Sequence, residues 1–134
     1  MTEENAQEII SQYDIVVDGC DNFSTRYLIN DICAEMGKVY VYGAICGFEG
    51  QVSVFHYGEE KKSYRDLYPD EEEMRRMPPP PKGVMGITPA VTGSIEATEV
   101  LKIICGFGEV LSGKLWTIDL RTLQSNKLYR KSVV

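Results

Sequence analysis

The sequence lacks the glycine-rich loops that most often bind nucleotide phosphates. Neither the G-x-G-x-x-G pattern of dinucleotide-binding folds nor the G-x-x-x-x-G-K-[ST] pattern of P-loops occurs. The stretch Gly106-Phe107-Gly108 begins like the first pattern, but it follows a predicted helix instead of a strand. A nucleotide site made from these residues alone would lack the backbone amides that usually hold the phosphates.

Basic residues are scarce as well. The 134 residues include 14 Lys and Arg against 20 Asp and Glu, which gives a formal net charge of −6. No run of basic residues is longer than a pair such as Arg130-Lys131. Because nucleic-acid binding depends on neutralising phosphates with Lys and Arg, we expect no nucleic-acid partner.

Long apolar runs are absent too. No stretch approaches the roughly 18 apolar residues of a membrane span. Residues 1–12 are polar and unlike a signal sequence. We therefore expect no membrane contact and a cytoplasmic location.

The cysteines are too far apart to form a C-x-x-C metal pair. Those present are Cys20, Cys33, Cys46 and Cys105. They also lack the crowding of a small disulfide scaffold, so we expect reduced thiols. By default Cys20, Cys33 and Cys46 are interpreted as packed core thiols.

The composition is otherwise that of a folded globular protein, with 43% hydrophobic and 25% charged residues. The length predicts a single domain with a substantial core. We expect this domain, residues 1–134, to be only part of a larger fold.

One stretch, residues 13–26, organises the chain. Its apolar segment Ile15 to Val17 predicts a buried strand that ends at Asp18, and Asp21 and Asn22 follow at once. In open α/β sheets ligands bind outside the carboxyl ends of the strands. A carboxylate there suits Mg²⁺, which is commonly held by one or two carboxylates and substrate phosphates. Asp21 or Asn22 could instead simply cap the following helix, and the spacing leaves both interpretations open.

Periodicity predicts the other elements. Apolar positions recur with helical spacing from residue 22 or 24 to 36, and Gly37 supplies a stop signal. A strand at 39–42 then completes a βαβ unit with parallel strands. Further predicted elements are a helix at 3–11, a strand at 51–57, a helix at 88–105, and strands at 115–119 and 126–129. The predicted fold class is α/β, a Rossmann-like mixed sheet flanked by helices.

Residues 58–82 carry a run of four acidic residues at 70–73 and four prolines at 78–81. Such a segment buries little apolar surface, so we predict a mobile or extended loop. Tyr64, Leu67 and Tyr68 are expected to anchor its start.

Several motifs resemble those of one family in the same order. The central one is Asp18-Gly19-Cys20-Asp21-Asn22 with Arg26 four positions later. The others are Gly43-Ala44-Ile45, Phe48 to Phe55, Tyr64 to Pro69, Gly83 to Gly86, Gly93 to Glu99 and Gly108 to Leu115. The chain resembles the ThiF/MoeB/HesA family, adenylating enzymes similar to the activating enzymes of ubiquitin. The resemblance covers nearly the whole chain and implies the carboxyl-terminal half of the ThiF-type fold.

The resemblance implies a chemistry. Family members use ATP and Mg²⁺ to adenylate the carboxylate of a Gly-Gly tail on a ubiquitin-like sulfur-carrier protein, in thiamine or molybdopterin biosynthesis. By resemblance Asp21 would be the catalytic carboxylate that holds Mg²⁺, Asn22 would fix the nucleotide, and Arg26 would brace the loop. A homodimer is expected.

The chain also departs from the family pattern. It lacks the amino-terminal half with the glycine loop and basic phosphate contacts, so we expect the isolated chain to be inactive and not to bind ATP. Ser63 and Asp66 stand where many relatives have the first zinc-binding cysteine pair, so no zinc is expected. Prolines occupy the positions where many relatives have a thioester-forming cysteine.

Two other hypotheses stay open at this point. One is a non-catalytic, dimerising interaction module of the same fold. The other is half of a dinucleotide-binding oxidoreductase, which the missing glycine fingerprint disfavours.

Overall fold

A five-stranded mixed sheet with helices on both faces forms the framework. The computed structural model describes residues 1–59, 61–78 and 85–129. In chain order the elements are α1 (Ala6–Ile10), β1 (Ile15–Val17), α2 (Phe23–Met36), β2 (Val39–Cys46), β3 (Glu49–Phe55), α3 (Tyr64–Leu67), α4 (Glu71–Arg76), α5 (Ile87–Cys105), β4 (Lys114–Asp119) and β5 (Gln124–Tyr129).

The strands lie side by side in chain order, β1-β2-β3-β4-β5. β1 and β2 are parallel, with Ile15 opposite Val39, and the other three pairs are antiparallel. The predicted βαβ unit and the mixed sheet are confirmed.

Local sequence signals determine where α2, the helix of the βαβ unit, begins and ends. The Asn22 side chain accepts a hydrogen bond from the Thr25 amide at 2.8 Å and caps its first turn. Gly37 adopts a left-handed conformation with φ of 68° and ends the helix. The residues of α2 that face the core are buried, among them Tyr27, Ile29 and Cys33. The core position expected for Cys33 is confirmed.

The alternation of β2 divides the core between the two faces of the sheet. Tyr40 and Tyr42 belong to the larger apolar cluster, which includes residues of α1 and α2. Val41, between them, belongs to the second cluster, in which Val52 and Val54 of β3 pack against residues of α5. The side chains of all three β2 residues are essentially inaccessible.

The segment 58–82 differs from the predicted loop because it contains α3 and α4. Ser63 and Asp66 form a capping box at the start of α3, and Asp70 caps α4 by accepting from the Glu73 amide at 3.0 Å. The acidic run lies in the first turn of α4, where it complements the helix dipole. Residues 79–82 of this segment, with the prolines at 79–81, lie outside the described residues, as do Gly83, Val84 and Arg130-Lys131.

Tyr64 anchors this segment to the core, as predicted. Its ring is fully buried, with centroids 4.9 Å from Tyr27, 5.2 Å from Tyr42 and 6.0 Å from Phe55. Such aromatic contacts add to the free energy gained from burying the rings. α3 is therefore held by the core, although its own sequence is strongly polar.

Within the described residues, no helix combines the length and apolar character needed to cross a membrane.

The two buried tyrosines of this cluster give a matched stability test. Tyr27 donates a hydrogen bond to the Tyr68 carbonyl at 2.6 Å, whereas the Tyr64 hydroxyl has no hydrogen-bond partner among the described residues. Tyr64→Phe removes a buried unsatisfied donor, so its free energy of unfolding should rise by up to about 1 kcal/mol. Tyr27→Phe should lower it by about 1 kcal/mol, because the Tyr68 carbonyl loses its donor. Urea denaturation measures both variants, and an equal loss in the two would contradict the assignment.

Candidate functional site

The parallel pair β1 and β2 brings two carboxyl ends to one edge of the sheet. The residues that follow β1, 18–22, form a loop at this edge. The Asp18 amide continues the pairing by donating to the Val41 carbonyl at 2.9 Å. The predicted position of the motif at the edge of the sheet is therefore confirmed.

Asp18 is the buried centre of this loop, with only 3% of its surface exposed. One carboxylate oxygen accepts from the Cys20 amide at 2.9 Å and the Cys20 thiol at 2.8 Å. The other accepts from Arg26 Nε at 3.2 Å and the Tyr40 hydroxyl at 2.8 Å. Four donors from three residues, Cys20, Arg26 and Tyr40, therefore converge on one carboxylate.

Arg26 closes the loop from the side of α2. Besides its ion pair with Asp18, its Nη2 donates to the Cys20 carbonyl at 2.9 Å. The guanidinium is buried, and the Asp18 carboxylate opposes the effect of that burial and keeps the pKa of Arg26 raised. The expected bracing role of Arg26 is what the geometry shows.

Cys20 is a packed thiol, as expected. Burial, reinforced by the hydrogen bond to Asp18, raises its pKa to about 12. The thiol is therefore protonated at neutral pH and unsuited to act as a nucleophile. The same expectation is wrong for Cys46, which is exposed at the end of β2.

Asp21 and Asn22 lie exposed at the edge of the sheet. The Asn22 side chain caps α2 through its oxygen and donates through its nitrogen to Asp21 Oδ1 at 3.1 Å. The capping alternative therefore holds for Asn22, whereas Asp21 points a carboxylate toward solvent.

The donor set at this edge suits Mg²⁺ only in combination with a phosphate ligand. Asp21 offers one exposed carboxylate, which is how proteins commonly hold this ion beside a nucleotide. No group of three or more His, Cys, Asp or Glu that could hold a metal occurs within the described residues.

The side chains of Ser63 and Asp66 cap the start of α3. The Ser63 hydroxyl accepts from the Arg65 amide at 3.2 Å, and Asp66 accepts from the Ser63 amide at 2.7 Å. Their side chains complete the capping box of α3. The absence of zinc stays a prediction.

A cleft of about 370 Å³ adjoins the motif loop. Residues 17–20 and Arg26 form one side, residues 43–45 of β2 form its floor, and Pro89, Thr92, Gly93 and Glu96 of α5 form the other side. Its size is at the lower end of the range for small-ligand sites.

The α5 wall of this cleft approaches the sheet closely because two glycines face it. A Cβ on Gly43 would overlap the Glu96 carboxyl, and a Cβ on Gly50 would overlap the Thr92 hydroxyl. Thr92 and Glu96 are only 2% and 7% exposed. Burial, and secondarily the Asp18 carboxylate, raise the pKa of Glu96 to about 8, which leaves it mostly neutral at pH 7.

Sequence reasoning missed part of this site. The pattern of residues 13–26 places Asp18 at the end of the strand but does not reveal that its charge is paired inside the protein with Arg26. Glu96 and Tyr40 were not identified as members of the site, because helical spacing predicts only that α5 buries one face. The glycines at positions 43 and 50, which face α5, are the sequence signals that an unusually close helix contact was possible.

The comparisons with known proteins agree with this architecture. The profile of the ThiF family matches residues 1–132. The chain belongs to the ThiF family. Among curated relatives of this ThiF-family chain, the "Sulfur carrier protein adenylyltransferase" of Thermus thermophilus is 45% identical over 140 residues, covering 96% of the chain and 49% of that protein. The "Probable molybdopterin-synthase adenylyltransferase" of Pyropia yezoensis is 46% identical over 129 residues, covering 95% of the chain and 34% of that protein.

Solved structures share the fold of this ThiF-family chain. The crystal structure of E. coli MccB with ATP superposes with a TM-score of 0.73 at 17% identity, over the whole chain and 42% of MccB. The ThiF-type fold predicted from the motifs is thus confirmed. The chain spans about half, or less, of the length of the curated relatives described above.

Removing the charge of Asp18 should destabilise the fold strongly. In Asp18→Asn the buried Arg26 guanidinium loses its counter-ion, so the free energy of unfolding should fall by about 3–5 kcal/mol. Asp31→Asn is the matched control, because Asp31 also pairs with an arginine, Arg65, at 2.7 Å but is half exposed. That change should cost less than about 1 kcal/mol. Denaturant titration that finds similar losses in both variants would contradict the central role of the buried pair.

Proposed function

We propose that the chain is the carboxyl-terminal part of an ATP-dependent adenylyltransferase that activates the Gly-Gly carboxylate of a ubiquitin-like sulfur-carrier protein of the thiamine or molybdopterin type. The observation that carries the proposal is the braced motif loop, which buries Asp18 and leaves Asp21 exposed beyond the carboxyl end of β1. The relatives named adenylyltransferases support the same reaction class.

In this reaction a carboxylate oxygen of the carrier attacks the α-phosphorus of ATP. The bond from that phosphorus to the bridging oxygen breaks, and an acyl adenylate and pyrophosphate form. Negative charge grows on the departing pyrophosphate, so cationic groups near the phosphates lower the barrier.

Asp21 is assigned the task of holding Mg²⁺ against the triphosphate. Its carboxylate is exposed, and the Asn22 amide at 3.1 Å fixes its orientation. The bound ion would supply charge neutralisation at the α-phosphate and the leaving group. Asn22 is assigned to the nucleotide by the family resemblance, and its side-chain amide lies beside Asp21.

The catalytic test uses a full-length protein that carries this chain as its carboxyl-terminal part. Asp21→Ala should reduce carrier-dependent ATP–pyrophosphate exchange by a factor on the order of 100 or more, because the metal loses its protein ligand. Asp14→Ala is the control, since Asp14 is also exposed but lies at the opposite end of β1. Undiminished exchange in Asp21→Ala would refute the assignment and leave a non-catalytic interaction module as the better hypothesis.

The 134-residue chain alone should be inactive and should not bind ATP. The sequence offers no glycine loop for the phosphates, and a single exposed carboxylate with retained waters holds Mg²⁺ weakly. Calorimetric titration with Mg²⁺ and ATP should therefore stay flat into the high micromolar range. Saturable binding at low micromolar concentration would show that the nucleotide site lies elsewhere.

Self-association is also part of the proposal. Within the described residues β1 pairs on one side only, and Val17 is 50% exposed there. On α5, Leu101 and Ile104 are 53% and 67% exposed. An open strand edge and apolar side chains favour association, so we expect a dimer. Light scattering that finds a stable monomer at tens of micromolar would count against it.

A further inference from the structure

The side of α5 that faces away from the sheet is exposed but carries no charge. Thr92, Glu96 and Glu99 are buried on the opposite side of the helix. The exposed residues between 90 and 105, all of which the structure describes, are Ala90, Gly93, Ser94, Ala97, Thr98, Leu101, Ile104 and Cys105. None of these is charged, although 25% of the residues in the chain are. Solvated helix faces usually carry charged side chains, so this face is suited to contact with another protein surface.

Five of these residues form a line along the helix, which we call the outer stripe. Its members are Ala90, Gly93, Ala97, Leu101 and Ile104, and their spacing of three or four residues places them on one face. The first three have a methyl group or a hydrogen atom as side chain, whereas the last two are large and more than half exposed. The small end permits close approach of another backbone, and the large end gains free energy when it leaves water.

The outer stripe is complementary to an antiparallel copy of itself. Gly93 and Leu101 each lie four residues from Ala97, and Ala90 and Ile104 each lie seven residues from it. If two copies of α5 pack antiparallel with Ala97 on the two-fold axis, each large side chain therefore meets a small residue of the other copy. A two-fold interface requires this kind of self-complementarity, because the same surface must serve both partners.

The ends of the helix extend the same pattern. Ile87 and Phe107 each lie ten residues from Ala97, and their side chains are 54% and 51% exposed. The two-fold axis that pairs the outer stripe brings these two apolar residues toward each other at both ends of the contact. Four large exposed side chains of each copy are then used in one interface.

Charge also favours a contact through this face. Each copy carries a net charge of −6, so two copies repel each other in general. The outer stripe brings no charged side chain into the contact, and Lys102 at its flank is paired with Glu99 at 2.9 Å. We infer that two copies of this chain associate through the outer stripe as an antiparallel, two-fold helix pair centred on Ala97. This rests on the self-association that is part of the proposed function, and it identifies the surface and the register.

The size of the contact predicts its strength. The 19 residues of α5 span about 28 Å, and the contact is one helix wide. Such a surface is smaller than the roughly 800 Å² per partner of a standard stable interface. The dimer should therefore be reversible, with a dissociation constant in the micromolar range.

The first test compares two leucines that are equally exposed. Leu101→Asp places a carboxylate in the outer stripe and should weaken association of the 134-residue chain at least tenfold, as measured by sedimentation equilibrium. Leu128→Asp is the matched control, because Leu128 is also 53% exposed but lies on β5. It should keep the wild-type dissociation constant. Unchanged association in Leu101→Asp, or a loss confined to Leu128→Asp, would overturn the inference.

The second test measures the register by disulfide cross-linking. It uses a background in which the exposed thiols are removed by Cys46→Ser and Cys105→Ser. A disulfide needs Cβ atoms about 4 Å apart, which only a position on the two-fold axis can offer to its own counterpart. Ala97→Cys should therefore form an intermolecular disulfide when oxidised with copper phenanthroline.

Ala90→Cys is the control for this register. In the inferred pair its two copies are separated by 14 helical residues, about 21 Å, so it should not cross-link to itself. A mixture of Ala90→Cys and Ile104→Cys chains should cross-link, because these positions lie opposite each other. No disulfide in Ala97→Cys, or equal cross-linking of Ala97→Cys and Ala90→Cys, would contradict the antiparallel pair.

The outcomes separate the interface from the proposed function. If the wild-type chain associates but Leu101→Asp associates equally well, the outer stripe is the wrong surface and self-association itself stands. If the wild-type chain is a monomer at 100 micromolar, both the helix pair and the proposed self-association fail. The adenylation chemistry is tested independently by pyrophosphate exchange in Asp21→Ala of the full-length protein.

Discussion

The buried pair of Asp18 and Arg26 is the interaction on which the candidate site depends. It ties the end of β1 to α2, and the Tyr40 hydroxyl adds β2 to the same carboxylate. Burying two charges is costly, and only good geometry with every donor and acceptor engaged offsets that cost. The arrangement consequently tolerates one loop conformation, in which the Cys20 amide and carbonyl are also bound. Because these contacts hold residues 18–20, they also fix the backbone position of the adjacent Asp21.

Three carboxyl groups near one edge of the sheet illustrate how environment decides chemistry. Asp18 is buried with four donors and serves as a structural anion. Asp21 stands exposed and can meet a cation or a ligand. Glu96 is buried, one of its oxygens has no partner within the described residues, and its raised pKa keeps it mostly protonated at neutral pH. The same functional group can therefore brace, coordinate or donate, according to what surrounds it.

The predictions from sequence succeeded where the signal is local. The apolar period, Asn22 as cap and Gly37 as stop all lie within α2, and they predicted its bounds within one residue. The segment after residue 58 was mispredicted because composition averages over it, whereas its helices depend on individual caps and on the contacts of Tyr64 with distant aromatic residues. The position of Asp21 at the edge of the sheet was predictable, since it needs only the end of β1. The burial of Glu96 was not, because the closeness of α5 is a property of the packed structure.

That closeness has an energetic consequence that no motif encodes. Without side chains at Gly43 and Gly50, α5 lies close against the sheet, with Glu96 against Gly43 of β2 and Thr92 against Gly50 of β3. Burial there removes both groups from water without supplying partners within the described residues, which is unfavourable for the free protein. The apolar contacts of α5 with Val41, Val52 and Val54 offset this cost, so the close packing of α5 depends both on these contacts and on the missing side chains at Gly43 and Gly50.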